Sequence, residues 1–133
     1  MLVVMSTNAL ACRCTIPQAS DERKYHHAEH VLLVSFTDMT LRQTSEANGE
    51  APGQFVEARF VIDELLKGSN PPDKVMSPLG WSCGINLSFN HAWLLFLNSE
   101  RVSKRNAIPV HNSPNQASPG SELLYKTRKL AGK

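Results

Sequence analysis

Val56-Glu57-Ala58-Arg59-Phe60-Val61-Ile62-Asp63 is the stretch on which the reading of the fold turns. Val56, Ala58, Phe60 and Ile62 alternate with Glu57, Arg59, Val61 and Asp63, a period of two that sets one apolar face inward and a mainly polar face toward water. On its N-terminal side, His30 to Thr37 contains the apolar run Val31-Leu32-Leu33-Val34, short enough for a buried strand. Residues 43–54 between the two are rich in Asn, Gly, Pro and Ser, which predicts a hairpin. On the C-terminal side, Gly68-Ser69-Asn70-Pro71-Pro72 ends the strand, because proline has no N–H to give to a ladder.

Three further short strands are expected at Lys74 to Ser77, Gly84 to Phe89 and Ala92 to Leu97. Trp93-Leu94-Leu95-Phe96-Leu97 is apolar on both faces and belongs in the middle of a sheet. After a loop over residues 109–120, a helix is expected from Ser121 to Leu130. Ser121 would cap it, Glu122 and the basic Lys126, Arg128 and Lys129 suit its dipole, and Gly132 stops it. Leu123, Leu124 and Leu130, with Thr127, form the stripe that would lie on a barrel, making the helix its plug. The expected class is all-β with one C-terminal helix, closed or nearly closed into a small barrel.

A chain of 133 residues and 14.7 kDa suffices for one domain and excludes an eightfold α/β barrel. Seven glycines, eight prolines and a hydrophobic share of 41% indicate neither disorder nor a fibrous repeat. A formal net charge of +2 offers no electrostatic reason for a nucleic acid or an anionic membrane as main partner. No stretch approaches the ~18 apolar residues of a membrane span.

The first eleven residues, MLVVMSTNALA, are uncharged and end in the small-x-small pattern Ala9-Leu10-Ala11 that signal peptidase cuts. Residues 1–11 are therefore expected to be a truncated signal peptide whose native start lies upstream, with Cys12 as the mature N-terminus and the product secreted or periplasmic. An N-terminal strand at Leu2 to Met5 is the competing reading, and Ala9 stands where a lipobox would place Leu. Cys12, Cys14 and Cys83 are an odd number of cysteines, so at least one thiol has no partner within the chain.

Cys12-Arg13-Cys14 at the expected mature start is followed by Ala28-Glu29-His30-Val31 and by Phe60-Val61-Ile62-Asp63-Glu64-Leu65-Leu66-Lys67-Gly68. Ser82-Cys83-Gly84-Ile85 and Ala92-Trp93-Leu94-Leu95-Phe96 come next. In this order the landmarks resemble the tissue inhibitors of metalloproteinases and the wider netrin-like module, in particular short bacterial homologues with the inhibitory domain alone, over residues 12–130. The resemblance implies an OB-fold-like five-stranded Greek-key barrel over residues 12–133. It also implies a disulfide from Cys12 to Cys83, which by loop entropy would contribute roughly 4–5 kcal/mol. Cys14 is then left over, since Ile108 to Ser113, where its usual partner would stand, holds no cysteine. Pairing of Cys14 with Cys83, or no oxidation at all, are the alternatives.

In such inhibitors the amine and carbonyl of the N-terminal cysteine chelate the zinc of a metalloprotease, whose three protein ligands leave one position open. The resemblance thus assigns Cys12 as chelator of the target's zinc, Arg13 and Cys14 as the inhibitory ridge, and Cys83 as anchor. Arg13 stands where the family places the side chain that enters the specificity pocket. A guanidinium there needs an acidic partner, so either the target pocket is acidic or there is no protease target.

His26, His27 and His30 in HHAEH are weighed as a metal site but lack a second cluster, and read as a polar turn before the first strand. His111 is expected in a surface loop, Trp81 against the disulfide, and Asp63 with Glu64 as solvation at a strand end. No nucleophile elbow, P-loop or dinucleotide fingerprint is present, so neither enzyme chemistry nor a cofactor or intrinsic metal is expected. Two Trp, two Tyr and five Phe on a nearly neutral chain form no basic stacking groove for single strands. The alternative to a monomeric inhibitor of a zinc metalloprotease is an extracellular netrin-like module that binds protein or glycan, or is structural, without inhibiting.

Overall fold

The alternation at residues 56–63 lies within a strand of 14 residues, β2 (Gln54–Lys67), which pairs antiparallel with an equally long β1 (His30–Gln43). The computed structural model describes residues 21–43, 53–78, 85–111 and 119–133. Helix α1 (Asp21–His27) precedes the hairpin; β3 (Lys74–Pro78), β4 (Ala92–Leu97), β5 (Ala107–Val110) and α2 (Pro119–Leu130) follow it. The five strands form one antiparallel sheet in the order β3-β2-β1-β4-β5.

The sheet is apolar on both faces because β1 and β4 are. Leu32, Val34 and Phe36 join Ala58, Phe60, Val75, Trp93, Leu95 and Leu97 on one face. Val31 and Leu33 join Leu66, Leu94, Phe96 and Val110 on the other, beneath Leu123 and Leu124 of α2 and Ala28 after α1. Three register shifts between β1 and β2 keep this two-sided pattern in step. Asp63 is skipped between the pairs Val34↔Ile62 and Leu33↔Glu64, and Thr37 between Phe36↔Phe60 and Asp38↔Arg59. Each extra residue inverts the parity of the strand beyond it. Met39 thus packs against the same cluster as Phe36, and Glu64 turns toward the helix.

Gly68 ends β2 at φ 92°, where a Cβ would stand 2.5 Å from the Glu29 carbonyl oxygen, so the close approach of the two segments needs glycine. The Lys67 ammonium donates to the carbonyls of Tyr25 (2.8 Å) and His26 (2.9 Å), capping the C-terminal end of α1. Helix α2 buries Leu123, Leu124 and Thr127, with the Thr127 hydroxyl donating to the Leu123 carbonyl at 2.7 Å. It stops at Gly132, φ 81°, where the N–H groups of Gly132 and Lys133 return to the carbonyls of Lys129 and Arg128.

Asp21–His27 form a helix where a polar turn was expected, Ala107–Val110 form an unexpected strand that runs into the expected loop, and four further expectations change. Ladder pairing ends at β3 and β5, and the sheet is not closed into a barrel. The β3 edge instead meets a single parallel bridge, Met76↔Arg101, in which the Met76 N–H donates to Glu100 (2.6 Å) and the Val102 N–H to Met76 (2.9 Å). Residues 85–90 form no strand; Ile85 and Leu87 pack on the core, but the Ile85 carbonyl accepts from the Ser77 hydroxyl. Ile62 is 38% exposed because β3 covers β2 only as far as Arg59. Ser121 does not cap α2, which already begins at Pro119, and its hydroxyl donates to the His111 carbonyl. Residues 1–11, with the expected cleavage and the competing strand, lie outside the described residues.

Candidate functional site

Cys12, Arg13, Cys14, Trp81 and Cys83 also lie outside the described residues. Their nearest described neighbours on the sheet locate the end from which two of the connections spring. The hairpin closes at the pair Gln43↔Gln54, and directly beside it Phe55 pairs with Pro78, the last residue of β3. Ile85, two residues after Cys83, is tied back to this end by the Ser77 hydroxyl at 3.0 Å. Ser77 is 1% exposed, so the bond is made inside the protein. Ile85 and Asn86 there line a recess of about 110 Å³ with Met39, Val56, Ser77 and Leu87. The roots of the hairpin connection and of the segment carrying Trp81, Ser82 and Cys83 are thus neighbours at one end of the sheet.

A charged ladder crosses the same end. Glu57 accepts from Lys74 of β3 at 3.3 Å and from Arg42 of β1 at 3.4 Å. The hydrogen bond from Lys74 comes first among the causes that hold the Glu57 carboxyl below the usual carboxylate range, burial opposes it, and the Lys74 and Arg42 charges assist. Alternating signs across three strands favour this register on a half-exposed face, with Glu57 largely covered between its partners.

The helix-covered face carries a second feature. A cleft of about 500 Å³ opens between α2 and the segment before β4. Leu33, Ala92, Val110 and Leu124 give it apolar walls, while Ser35, Asp63, Arg128 and the Phe89-Asn90-His91 segment bring polar groups and an aromatic ring. Ser35 donates to Asp63 at 2.5 Å, and Arg128 holds Glu64 through Nε (3.0 Å) and Nη2 (2.9 Å). Asp63 and Glu64, expected to be solvated strand-end residues, therefore have separate partners within β2, one on β1 and one on α2. Phe89 is 58% exposed.

His91 stacks between Trp93 (ring centroids 5.0 Å apart) and His111 (4.5 Å). His111, expected in a surface loop, is exposed but packed ring to ring. The Nε2 of His91 is enclosed without a hydrogen-bond partner. Burial first, and then the nearby His111 charge, push the His91 pKa below the ordinary imidazole value. Sequence reasoning singled out His111 and gave Arg128 only a helix-dipole role, and it missed Ser35 and His91; for His91 the signal was Asn90-His91 leading into an apolar strand.

His26 and His27 are exposed on α1, and His30 begins β1 with its Nε2 donating to the Ser69 carbonyl at 2.7 Å. The three do not converge, and among the described residues no group of three His, Cys, Asp or Glu is placed to hold a metal. No helix among the described residues is long and apolar enough to cross a membrane. No protein-family model matches the chain, and no curated protein matches it.

Proposed function

We propose that the protein is a secreted or periplasmic inhibitor of a zinc metalloprotease, acting through the amine and carbonyl of Cys12 in a chain that begins there. The observation that carries this reading is the shared root, at one end of the sheet, of the hairpin connection and of the segment that holds Cys83. A wedge of this type needs several connections at one edge, and a Cys12–Cys83 disulfide would bring the N-terminus to that edge. Fixing the terminus in advance reduces the ordering entropy lost on binding. The Met76↔Arg101 bridge, which joins the β3 edge to the segment between β4 and β5, supports an OB-type Greek-key topology, left open, as the finer description of the sheet.

The α-amine is a zinc ligand only when unblocked and deprotonated, and its ordinary pKa of ~7.7–8.0 puts the bare amine within reach of a metal at neutral pH. With Arg13 next in line, the target is a zinc protease whose specificity pocket carries a carboxylate. The test is inhibition of a panel of zinc proteases by the form beginning at Cys12, beside one with a single extra N-terminal alanine. Inhibition is expected from the first and not the second; equal potency, or none from either, rejects the mechanism. The alternative, a netrin-like binding module without inhibition, draws on the cleft beside the exposed Phe89, which lies on the helix-covered face.

A further inference from the structure

Strand β1 is longer than the strand that flanks it. β4 pairs with β1 only from His30↔Leu97 to Val34↔Trp93, whereas β2 stays paired to Gln43. From Ser35 to Gln43, the side of β1 away from β2 therefore faces no strand among the described residues. Backbone donors and acceptors along such an edge are a template for another strand. This stretch has neither proline nor lysine, its bulge at Thr37 precedes the segment Asp38-Met39-Thr40-Leu41-Arg42-Gln43, and the two charges there, Asp38 and Arg42, are of opposite sign.

The geometry points to a second copy of this chain as the partner of that edge, paired antiparallel about a two-fold axis through Thr40. In that register Asp38 stands opposite Arg42 of the other copy, and Arg42 opposite its Asp38. Met39 meets Leu41, and Thr40 meets Thr40. Every pair is of a kind that stabilises adjacent strands: opposite charges twice, apolar contacts twice, and threonine with threonine on the axis. The faces also match. Beyond the extra residue Thr37, Met39 and Leu41 lie on the side of the sheet that holds Val56, and Thr40 and Arg42 on the side of Glu57.

The pairing accounts for Leu41, an apolar side chain left 58% exposed. Its partner in the register, Met39, is half-buried against the core, so the dimer extends the apolar face of one copy into that of the other. A closed two-fold pairing occupies both edges and adds no third copy, so the exposed strand leads to a dimer rather than a fibre. The monomer expected from the sequence becomes the dilute form. This inference does not rest on the inhibitor reading.

The experiment uses the full chain in sedimentation equilibrium, with two charge reversals, Asp38→Lys and Arg42→Glu. The parent is expected to dimerise reversibly. Each variant alone sets like charges opposite one another at two places and should dimerise roughly tenfold or more weakly. An equimolar mixture restores attraction at both places, since the lysine introduced at position 38 of one chain faces the glutamate introduced at position 42 of the other, so heterodimers should form with near-parental affinity. Because mixing cannot repair a defect within one chain, the rescue separates the interface from the loss of the Arg42–Glu57 pair. A parent that stays monomeric up to about 1 mM overturns the proposal. So does a dimer indifferent to both reversals, or a monomer in which those amides of Asp38 to Gln43 that point away from β2 resist hydrogen exchange independently of concentration, since its own chain then fills the edge.

Discussion

Replacing Leu94 and, separately, its neighbour Leu95 by alanine tests whether the sheet has two cores. Both side chains are fully buried, yet they point to opposite faces. Leu94 sits between Leu33 and Ile108 on neighbouring strands and under Leu123 and Leu124 of α2. Leu95 sits between Leu32 and Ala107, in the cluster with Phe36, Phe60 and Val75. Truncation removes the transfer free energy of the lost carbons and leaves a cavity, together about 2–5 kcal/mol for buried leucine. Helix α2 can settle partly into the gap at Leu94, which sets that loss near 3 kcal/mol, whereas the strands around Leu95 are tied by ladders and give about 4 kcal/mol. For a chain of this size each kcal/mol lowers Tm by roughly 3–4 °C, so drops of about 10 and 14 °C are expected. Thermal and urea unfolding followed by circular dichroism measure both, with Lys104→Ala, in the exposed turn before β5, as a surface control expected within about 0.5 kcal/mol of the parent. Hydrogen exchange adds a positional readout, since Leu94→Ala should loosen α2 selectively. If either buried variant loses less than about 1 kcal/mol, one face of the sheet is not a packed core and the architecture is wrong.

Gly120→Ala should destabilise by about 1–3 kcal/mol although alanine is the better helix former, because its methyl would overlap the Pro109 carbonyl and lie 3.3 Å from the Val110 Cα; a stability gain would show that α2 does not pack this closely on β5. Glu64→Gln should cost about 0.5–1 kcal/mol, discounted because the Arg128 side chain is 43% exposed, and the difference from the parent should shrink in molar salt. His91→Phe should flatten the acid limb of stability. Folding depresses the His91 pKa, so below the ordinary 6.5 the unfolded state takes up the proton first, and stability present above that pH is lost as pH falls through the folded value. Thermal melts between pH 7.5 and 5 compare the two proteins, and parallel curves would refute the assignment. Glu57→Gln should likewise remove part of the loss of stability on acidification below the ordinary 4.5, since its carboxylate is favoured in the fold by Lys74 and Arg42.

The sheet was legible where sequence period and burial coincide. The apolar runs of β1 and β4 announced strands buried on both faces, and Gly68 and Gly132 marked ends that the backbone makes with positive φ. The extra residues Thr37 and Asp63 left no such trace. A bulge inverts parity without altering composition. The alternation from Val56 to Ile62 is itself unbroken, but it runs past Arg59, where β3 stops covering β2. The alternation of Ile85 and Leu87 misled for a related reason: both side chains reach the core, but their backbone takes no place in a ladder. Of the candidate sites, the cysteine landmarks came from resemblance and not from periodicity. The stacking of His91 on Trp93 and His111 joins the start of β4 to the end of β5, a closeness that only the pairing Ala92↔Val110 creates.

The way β4 docks has a consequence for the order in which the molecule assembles. Its register joins His30 to Leu97 and Val34 to Trp93 across roughly sixty intervening residues, while β1, β2 and β3 follow one another as neighbours. During synthesis the three-stranded meander can therefore form while β4 is still inside the ribosome, with Leu32 and Leu33 open along its inner margin. Only after Leu97 emerges can that margin be sealed, and α2, made after it, then closes the second face. A nascent chain arrested before Ala92 should accordingly be a preferred client of chaperones that bind aliphatic strands, and one whose α2 has also emerged should not.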